Sequence, residues 1–416
     1  MTANSEPKIQ TVTTPKGITA WLVESDSIPM VSMEIAFRAG AAFDPKGKNG
    51  LANLTSSLLD EGAGDLDMEA FQQKLESIGA RFGAGAGTLD FTVNLTTLSE
   101  KKEAAFDLLA LALTQPRFDE EAVNRVKDAI MTGLKQAEER PGSFAGKAYQ
   151  KAQYGDHPYG NPTSGTLESV PTLTRADIRK FYGEYITKAN MVVSVVGDIT
   201  AEELAKLLDA SLADLPAGKK RAEIAEAPQP IVPQVVRIQK DIPQSHVIFG
   251  HLGIDRHDPD YFASYVMNDI LGGGGFRSRF MDQVREKRGL AYSVYSYFAP
   301  MPHAGSFTAQ VQTSNDKVDE AINLMKDQMR DIQNKGVEKD EFADDVSYLT
   351  GSFPLRLDSN DKILGYLTVM QMENLGKDYL TTWADKVSAL KQEDMQRVAK
   401  RLLHPENVVT VIVGGE

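Results

Sequence analysis

Two residues seven positions apart carry the clearest chemical promise in this chain, Arg285 and Tyr292. They lie in the run Leu271-Gly-Gly-Gly-Gly-Phe-Arg-Ser-Arg-Phe-Met-Asp-Gln-Val-Arg285-Glu-Lys-Arg-Gly-Leu-Ala-Tyr292-Ser-Val294. Phe276, Phe280 and Val284 recur every fourth position, which predicts one buried helix face with Arg285 near the helix end. Gly289 predicts the helix stop and Tyr292 the start of a strand. A helix end and a strand start are rigid places to mount two side-chain donors, although an Arg–Tyr pair taken alone is usually structural. The four glycines before them would let backbone come close to a neighbouring element. No Gly-Lys-Ser or Gly-Lys-Thr follows, so a phosphate loop is not indicated.

A second stretch, Gly50-Leu-Ala-Asn53-Leu-Thr-Ser56-Ser57, presents one amide and two hydroxyls where a helix follows a glycine. These are poor ligands for a divalent cation, and none is a general base near neutral pH unaided. The histidines are His157, His246, His251, His257, His303 and His404, and no two are spaced to share a metal on one helix face. His246 and His251 flank an expected strand and read as core or surface histidines. His157, in His157-Pro-Tyr-Gly-Asn-Pro162, reads as part of a turn. There are no cysteines, hence no thiolate sites, disulfides or thiol nucleophiles.

A third stretch, Gly79-Ala-Arg-Phe-Gly83-Ala84-Gly85-Ala86-Gly87, runs from a helix into a strand. A dinucleotide fingerprint needs the reverse order.

These stretches belong to a sequence written twice. Leu173-Thr-Arg-Ala-Asp before the strand ending at Gly197 matches Leu390-Lys-Gln-Glu-Asp before the strand ending at Gly414, and both offsets are 217. Phe118–Val126 matches Val337–Asp345 at an offset of 219. The expected domains are 1–220 and 235–416, joined by 221–234, a stretch containing Pro228, Pro230 and Pro233. Within the halves, Leu89, Phe91, Val93 and Leu95 alternate as in a half-buried strand. Met68, Phe71, Leu75 and Ile78, and again Val318, Ile322, Met325, Met329 and Ile332, follow helical spacing. Thr174 with Asp177 reads as a capping box. The expected fold class is α+β, two homologous tandem domains, each a mostly antiparallel sheet with helices on one face.

Composition narrows the function classes. The net charge of −13 disfavours nucleic acid as a partner, and no apolar run is long enough to span a bilayer. No basic segment leads into an apolar stretch at the start, so no signal peptide is visible. The lack of cysteine suits the periplasm, the compartment expected here, with the cytoplasm as the alternative.

The frame around Asn53 resembles the zinc helix of the pitrilysin/insulinase family of metallopeptidases, in which Gly-Leu-Ala leads into His-x-x-Glu-His. The resemblance implies two histidines at positions 53 and 57 and a glutamate at 56. It also implies a third ligand about 75 residues on, where no carboxylate lies between Asp128 and Glu138. The run from Leu271 to Val294 resembles the family's second signature, in which the tyrosine holds the scissile carbonyl and the arginine fixes the substrate backbone or that tyrosine. The Gly83–Gly87 segment resembles the stretch leading into the strand that pairs with extended peptide; a plain helix-to-strand loop is an equal reading.

The resemblance implies a subunit that is not an enzyme by itself. Arg285 and Tyr292 would act in trans in a heterodimer with a homologous zinc-bearing peptidase, on peptide substrate bound along Gly83, Ala84, Gly85, Ala86 and Gly87. Asn53, Ser56 and Ser57 would hold no metal, so no cofactor is expected in this chain and zinc is expected in the partner. In isolation the chain would be a homodimer or a monomer. The alternative is a scaffold that keeps the family shell without a role in proteolysis.

Overall fold

A computed structural model describes residues 7–220, 224–227, 232–303 and 305–415. Half of the expected joint lies outside the described residues, namely 221–223 and 228–231 with Pro228 and Pro230. The chain resolves into two compact units.

The first unit is Met1–Lys135, Asn161–Glu223 and Pro354–Tyr379. Its strands are β1 (Gln10–Thr13), β2 (Thr19–Glu24), β3 (Met30–Phe37), the short pair β4 (Gly62–Ala63) and β5 (Leu66–Asp67), β6 (Arg81–Ala86), β7 (Phe91–Leu98) and β8 (Met191–Gly197). Six of them form a sheet in the order β1-β2-β8-β3-β7-β6, antiparallel except where β2 meets β8. β8 is apolar apart from the central Ser194 because both its faces are covered. β7 alternates because one face is: Phe91, Val93 and Leu95 are buried, while Leu89 falls in the preceding turn. Helices α1 (Leu51–Ser56), α2 (Met68–Ser77), α3 (Lys102–Thr114), α4 (Glu120–Glu139), α6 (Arg175–Tyr185) and α7 (Ala201–Leu212) accompany this sheet. The Thr174–Asp177 capping box opens α6 as expected. On α2, Phe71 and Leu75 are buried, but Met68 in the first turn is 39 % exposed, so the apolar stripe is shorter than its spacing suggested.

The second unit is Gln136–Gly160, Ile224–Phe353 and Leu380–Glu416. Its strands are β9 (Gln234–Gln239), β10 (Gln244–Leu252), β11 (Ala291–Ala299), β12 (Ser306–Ser314) and β13 (Val409–Gly414), in the order β11-β12-β10-β13-β9. Only β13 and β9 run parallel. Strand for strand this repeats β6-β7-β3-β8-β2, the structural form of the sequence repeat. Helices α8 (Tyr261–Asn268), α9 (Val318–Lys335), α10 (Lys339–Ser352), α12 (Tyr379–Ser388) and α13 (Gln392–Leu402) accompany it. Val318, Ile322, Met325, Met329 and Ile332 are all buried on α9, as their spacing predicts.

The units differ from the sequence halves by one helix each. α5 (Pro141–Tyr154), from the first half, packs in the second unit, where Ala145 and Tyr149 meet Ile248, Val409, Val411 and Val413. α11 (Asn360–Met372), from the second half, packs in the first unit, where Leu364 and Leu367 meet Val23 and Val196. Thr368 and Gln371 of α11 also hydrogen-bond the Ser194 hydroxyl at 3.0 and 2.8 Å. Central strands as apolar as β8 and β13 need cover on both faces, and the exchanged helices supply the second cover. The equivalent helices start 219 positions apart, the offset already seen in the preceding repeat element. Among the described residues no helix is long and apolar enough to cross a membrane.

Candidate functional site

The run from Leu271 to Val294 is not one regular helix. The chain makes a π-helical turn at Asp269–Gly273, a 3-10 turn at Gly275–Arg277 and a second π-helical turn at Met281–Glu286. Gly272 lies so close to β11 that a Cβ there would sit 2.4 Å from the Ser296 Oγ and 2.6 Å from the Phe280 ring. Phe280 and Val284 are fully buried as expected. Phe276 is not: it is 72 % exposed. Gly275 at φ +60° and Ser278 in extended backbone put Phe276 in a separate turn, so its four-residue spacing to Phe280 places no shared face.

Gly289 ends the second turn at φ +62°. Its N–H donates to the Arg285 carbonyl at 2.8 Å, and the Leu290 N–H reaches the Val284 carbonyl at 2.9 Å. Glycine suits this left-handed position because it has no Cβ to collide with the following carbonyl. β11 follows at the edge of its sheet, with a bulge between Ala291 and Val294 that turns Tyr292 outward. Tyr292 is 85 % exposed, and its hydroxyl makes no hydrogen bond among the described residues.

The structure brings Arg285 and Tyr292 together. The guanidinium carbon lies 4.8 Å from the centre of the Phe276 ring and 5.3 Å from that of Tyr292. A cation held by two ring faces loses side-chain freedom while its N–H donors remain available at the edges. Glu286 is 3.3 Å away on one side. Phe276 was read as core from its spacing; the positive-φ glycine beside it was the signal against that reading.

Behind this group the 3-10 turn is pinned by Arg277. Its guanidinium pairs with Asp269 at 3.1 Å and Asp345 of α10 at 3.2 Å, and it lies 3.7 Å from the centre of the Tyr348 ring. Asp345 is 5 % exposed, and burial next to Asp269 pushes its carboxyl up to about 8, against the lowering effect of Arg277.

The Asn53 stretch forms α1, introduced by Gly50 at φ +92°. Asp44, a residue not singled out in the sequence, caps it by accepting N–H bonds from Gly50 at 2.7 Å and Ala52 at 2.8 Å. Burial pushes the Asp44 carboxyl up to about 7 despite those bonds. Ser56 is buried and its hydroxyl donates to the Asn53 carbonyl at 2.9 Å. Asn53 and Ser57 are half-buried. This donor set does not fit zinc: an amide and two alcohols, one committed to backbone, replace anionic or imidazole ligands. Among the described residues no group of three His, Asp or Glu side chains could hold a metal ion.

The histidines are occupied elsewhere. His157 accepts from the Tyr159 N–H at 3.2 Å through Nδ1 and donates from Nε2 to the Ala225 carbonyl at 2.8 Å. His246 and His251 sit within β10, not at its flanks. His251 bonds the Leu252 carbonyl through Nδ1 at 2.7 Å and accepts the His404 N–H through Nε2 at 3.1 Å. Burial holds its pKa down to about 3, so it stays neutral.

β6 is the edge strand of the first sheet and carries Gly83, Ala84, Gly85 and Ala86. Gly87 lies beyond its end; it donates to the Asp90 carbonyl at 2.8 Å and its own carbonyl accepts the Ala41 N–H at 2.9 Å. Gly87 is thus a turn residue and not part of the open edge.

Two family profiles match successive stretches of this chain. Residues 20–167 match Insulinase (Peptidase family M16), and residues 172–347 match the Peptidase M16 inactive domain. The chain belongs to peptidase family M16. It is 30 % identical to the non-peptidase homolog YmxG of Helicobacter pylori over 80 % of this chain and 77 % of that one. It is 25 % identical to an uncharacterized zinc protease of Streptomyces coelicolor over 97 % and 89 % of the two chains. A crystal structure of a peptidase M16 inactive domain from Pseudomonas fluorescens superposes with a TM-score of 0.93 at 32 % identity, covering 98 % of each chain. In this chain α1 carries Asn53, Ser56 and Ser57, and Arg285 lies beside Tyr292.

Proposed function

We propose that this M16 chain is the non-catalytic subunit of a two-chain zinc peptidase, in which a homologous partner carries the metal. The single observation behind this reading is the Arg285–Tyr292 pair, with its phenol turned to solvent, on a chain whose α1 carries only an amide and hydroxyls. The partner's zinc would supply the activated water. The phenol of Tyr292 would donate to the scissile carbonyl oxygen as charge builds on it, and Arg285 would hold that phenol and the substrate backbone in place. Peptide would add as a strand along the edge of β6, at Gly83–Ala86. For the compartment the proposal is the periplasm, which cell fractionation tests.

The experiment is reconstitution with a homologue from the same genome that keeps His-x-x-Glu-His. The isolated chain should carry no stoichiometric zinc and hydrolyse no peptide, and the mixture should hydrolyse unfolded peptides. Chelator-resistant hydrolysis by the isolated chain, or no gain on mixing, contradicts the proposal.

A further inference from the structure

We infer that Phe276 is a positioning residue for Arg285, and that the carboxyl pair Asp269–Asp345 anchors it through Arg277. The inference rests on the two-chain reading above and adds a residue to its machinery.

Asp269 and Asp345 grip Arg277 at 3.1 and 3.2 Å, and Tyr348 stacks on the same guanidinium at 3.7 Å. Arg277 is thereby fixed on three sides, and with it the Gly275–Arg277 turn. Phe276 is the preceding residue, so fixing Arg277 also fixes where the Phe276 ring leaves the surface. That ring is 72 % exposed and contributes little to the core. It lies against Arg285, whose guanidinium also lies over the Tyr292 ring.

A long arginine side chain loses considerable rotamer freedom when it must hold one geometry. Two aromatic rings restrict that freedom before substrate arrives, as the residue that holds the Tyr292 phenol and the substrate backbone requires. The ring matters here as a flat π surface, so leucine should not replace it, whereas tyrosine should.

The test compares Phe276→Leu and Phe276→Tyr in the reconstituted pair. Phe276→Leu should lower kcat about two- to fivefold, the scale of one lost cation–π contact at an exposed site, with KM and Tm close to wild type. Phe276→Tyr should restore kcat. In a double-mutant cycle Phe276→Leu should add little to Arg285→Ala, since each removes the same arrangement. In the isolated chain, relaxation of the Arg285 Nε–H signal should show a looser side chain in Phe276→Leu.

Wild-type kcat in Phe276→Leu, or full additivity with Arg285→Ala, overturns the inference and leaves the two-chain reading standing. If the wild-type pair shows no activity, that reading fails. The Arg285 relaxation measurement then decides the positioning role on its own: unchanged mobility in Phe276→Leu overturns it.

Discussion

The guanidinium carbon of Arg285 stands 5.3 Å from the centre of the Tyr292 ring, across the junction of a π-helical turn and a bulged edge strand. Lysine cannot reproduce this stack, because its ammonium is a compact, strongly hydrated charge without a planar donor fork. Arg285→Lys should therefore lower turnover of the reconstituted pair about two- to fivefold, the value of one exposed cation–π contact. Steady-state kinetics on a fluorogenic peptide measures it.

Buried carboxyls should make this chain less stable as pH rises. The Asp345 carboxyl is held up at about 8 by burial and by Asp269, while an unfolded aspartate titrates near 3.8. Below pH 4 both states are protonated and the folded state has its full advantage. Between about pH 4 and 8 the unfolded state ionises while the folded one retains its proton, so stability falls over that window. Asp44, pushed up to about 7, and Asp90, pushed up to about 6, act in the same direction. Asp345→Asn, which cannot ionise, should show a flatter fall in Tm between pH 5 and pH 8 than wild type. Calorimetric scans at the two pH values check this.

Asp44→Ala tests the cap on α1. It leaves the buried Gly50 and Ala52 N–H groups without their acceptor, at about 1–3 kcal/mol for each unsatisfied donor. The expected outcome is a lower Tm and faster amide exchange confined to Leu51–Ser56.

Gly83 and Gly85 face open space: a Cβ on Gly83 would meet nothing within 4 Å, and one on Gly85 only the Thr92 Oγ1 at 3.9 Å. Gly83→Val with Gly85→Val should therefore fold with an unchanged or higher Tm, since valine suits extended backbone better than glycine. Peptide docking on β6 predicts a raised KM for the pair with kcat unchanged.

Features that depend on local spacing were legible in the sequence. The apolar runs of β8 and β13, the alternation of β7, the stripe on α9 and the Thr174–Asp177 box each follow from a few neighbouring residues. The exchange of α5 and α11 was not, because periodicity tells that a helix has an apolar face and not which sheet receives it. Asp44 escaped notice because its cap partners lie six and eight residues away across a loop. At Phe276 the spacing was present but the helix was not: Gly275 and Ser278 break it, and the ring serves Arg285 instead of the core.

The most direct measurement is the turnover of the reconstituted pair carrying Tyr292→Phe, a change that deletes one exposed hydroxyl and keeps the ring on Arg285. Loss of about 10²-fold in kcat, the usual scale for one oxyanion donor, is the predicted result. Wild-type turnover would show that this chain contributes nothing to the reaction through Tyr292, and would contradict the account.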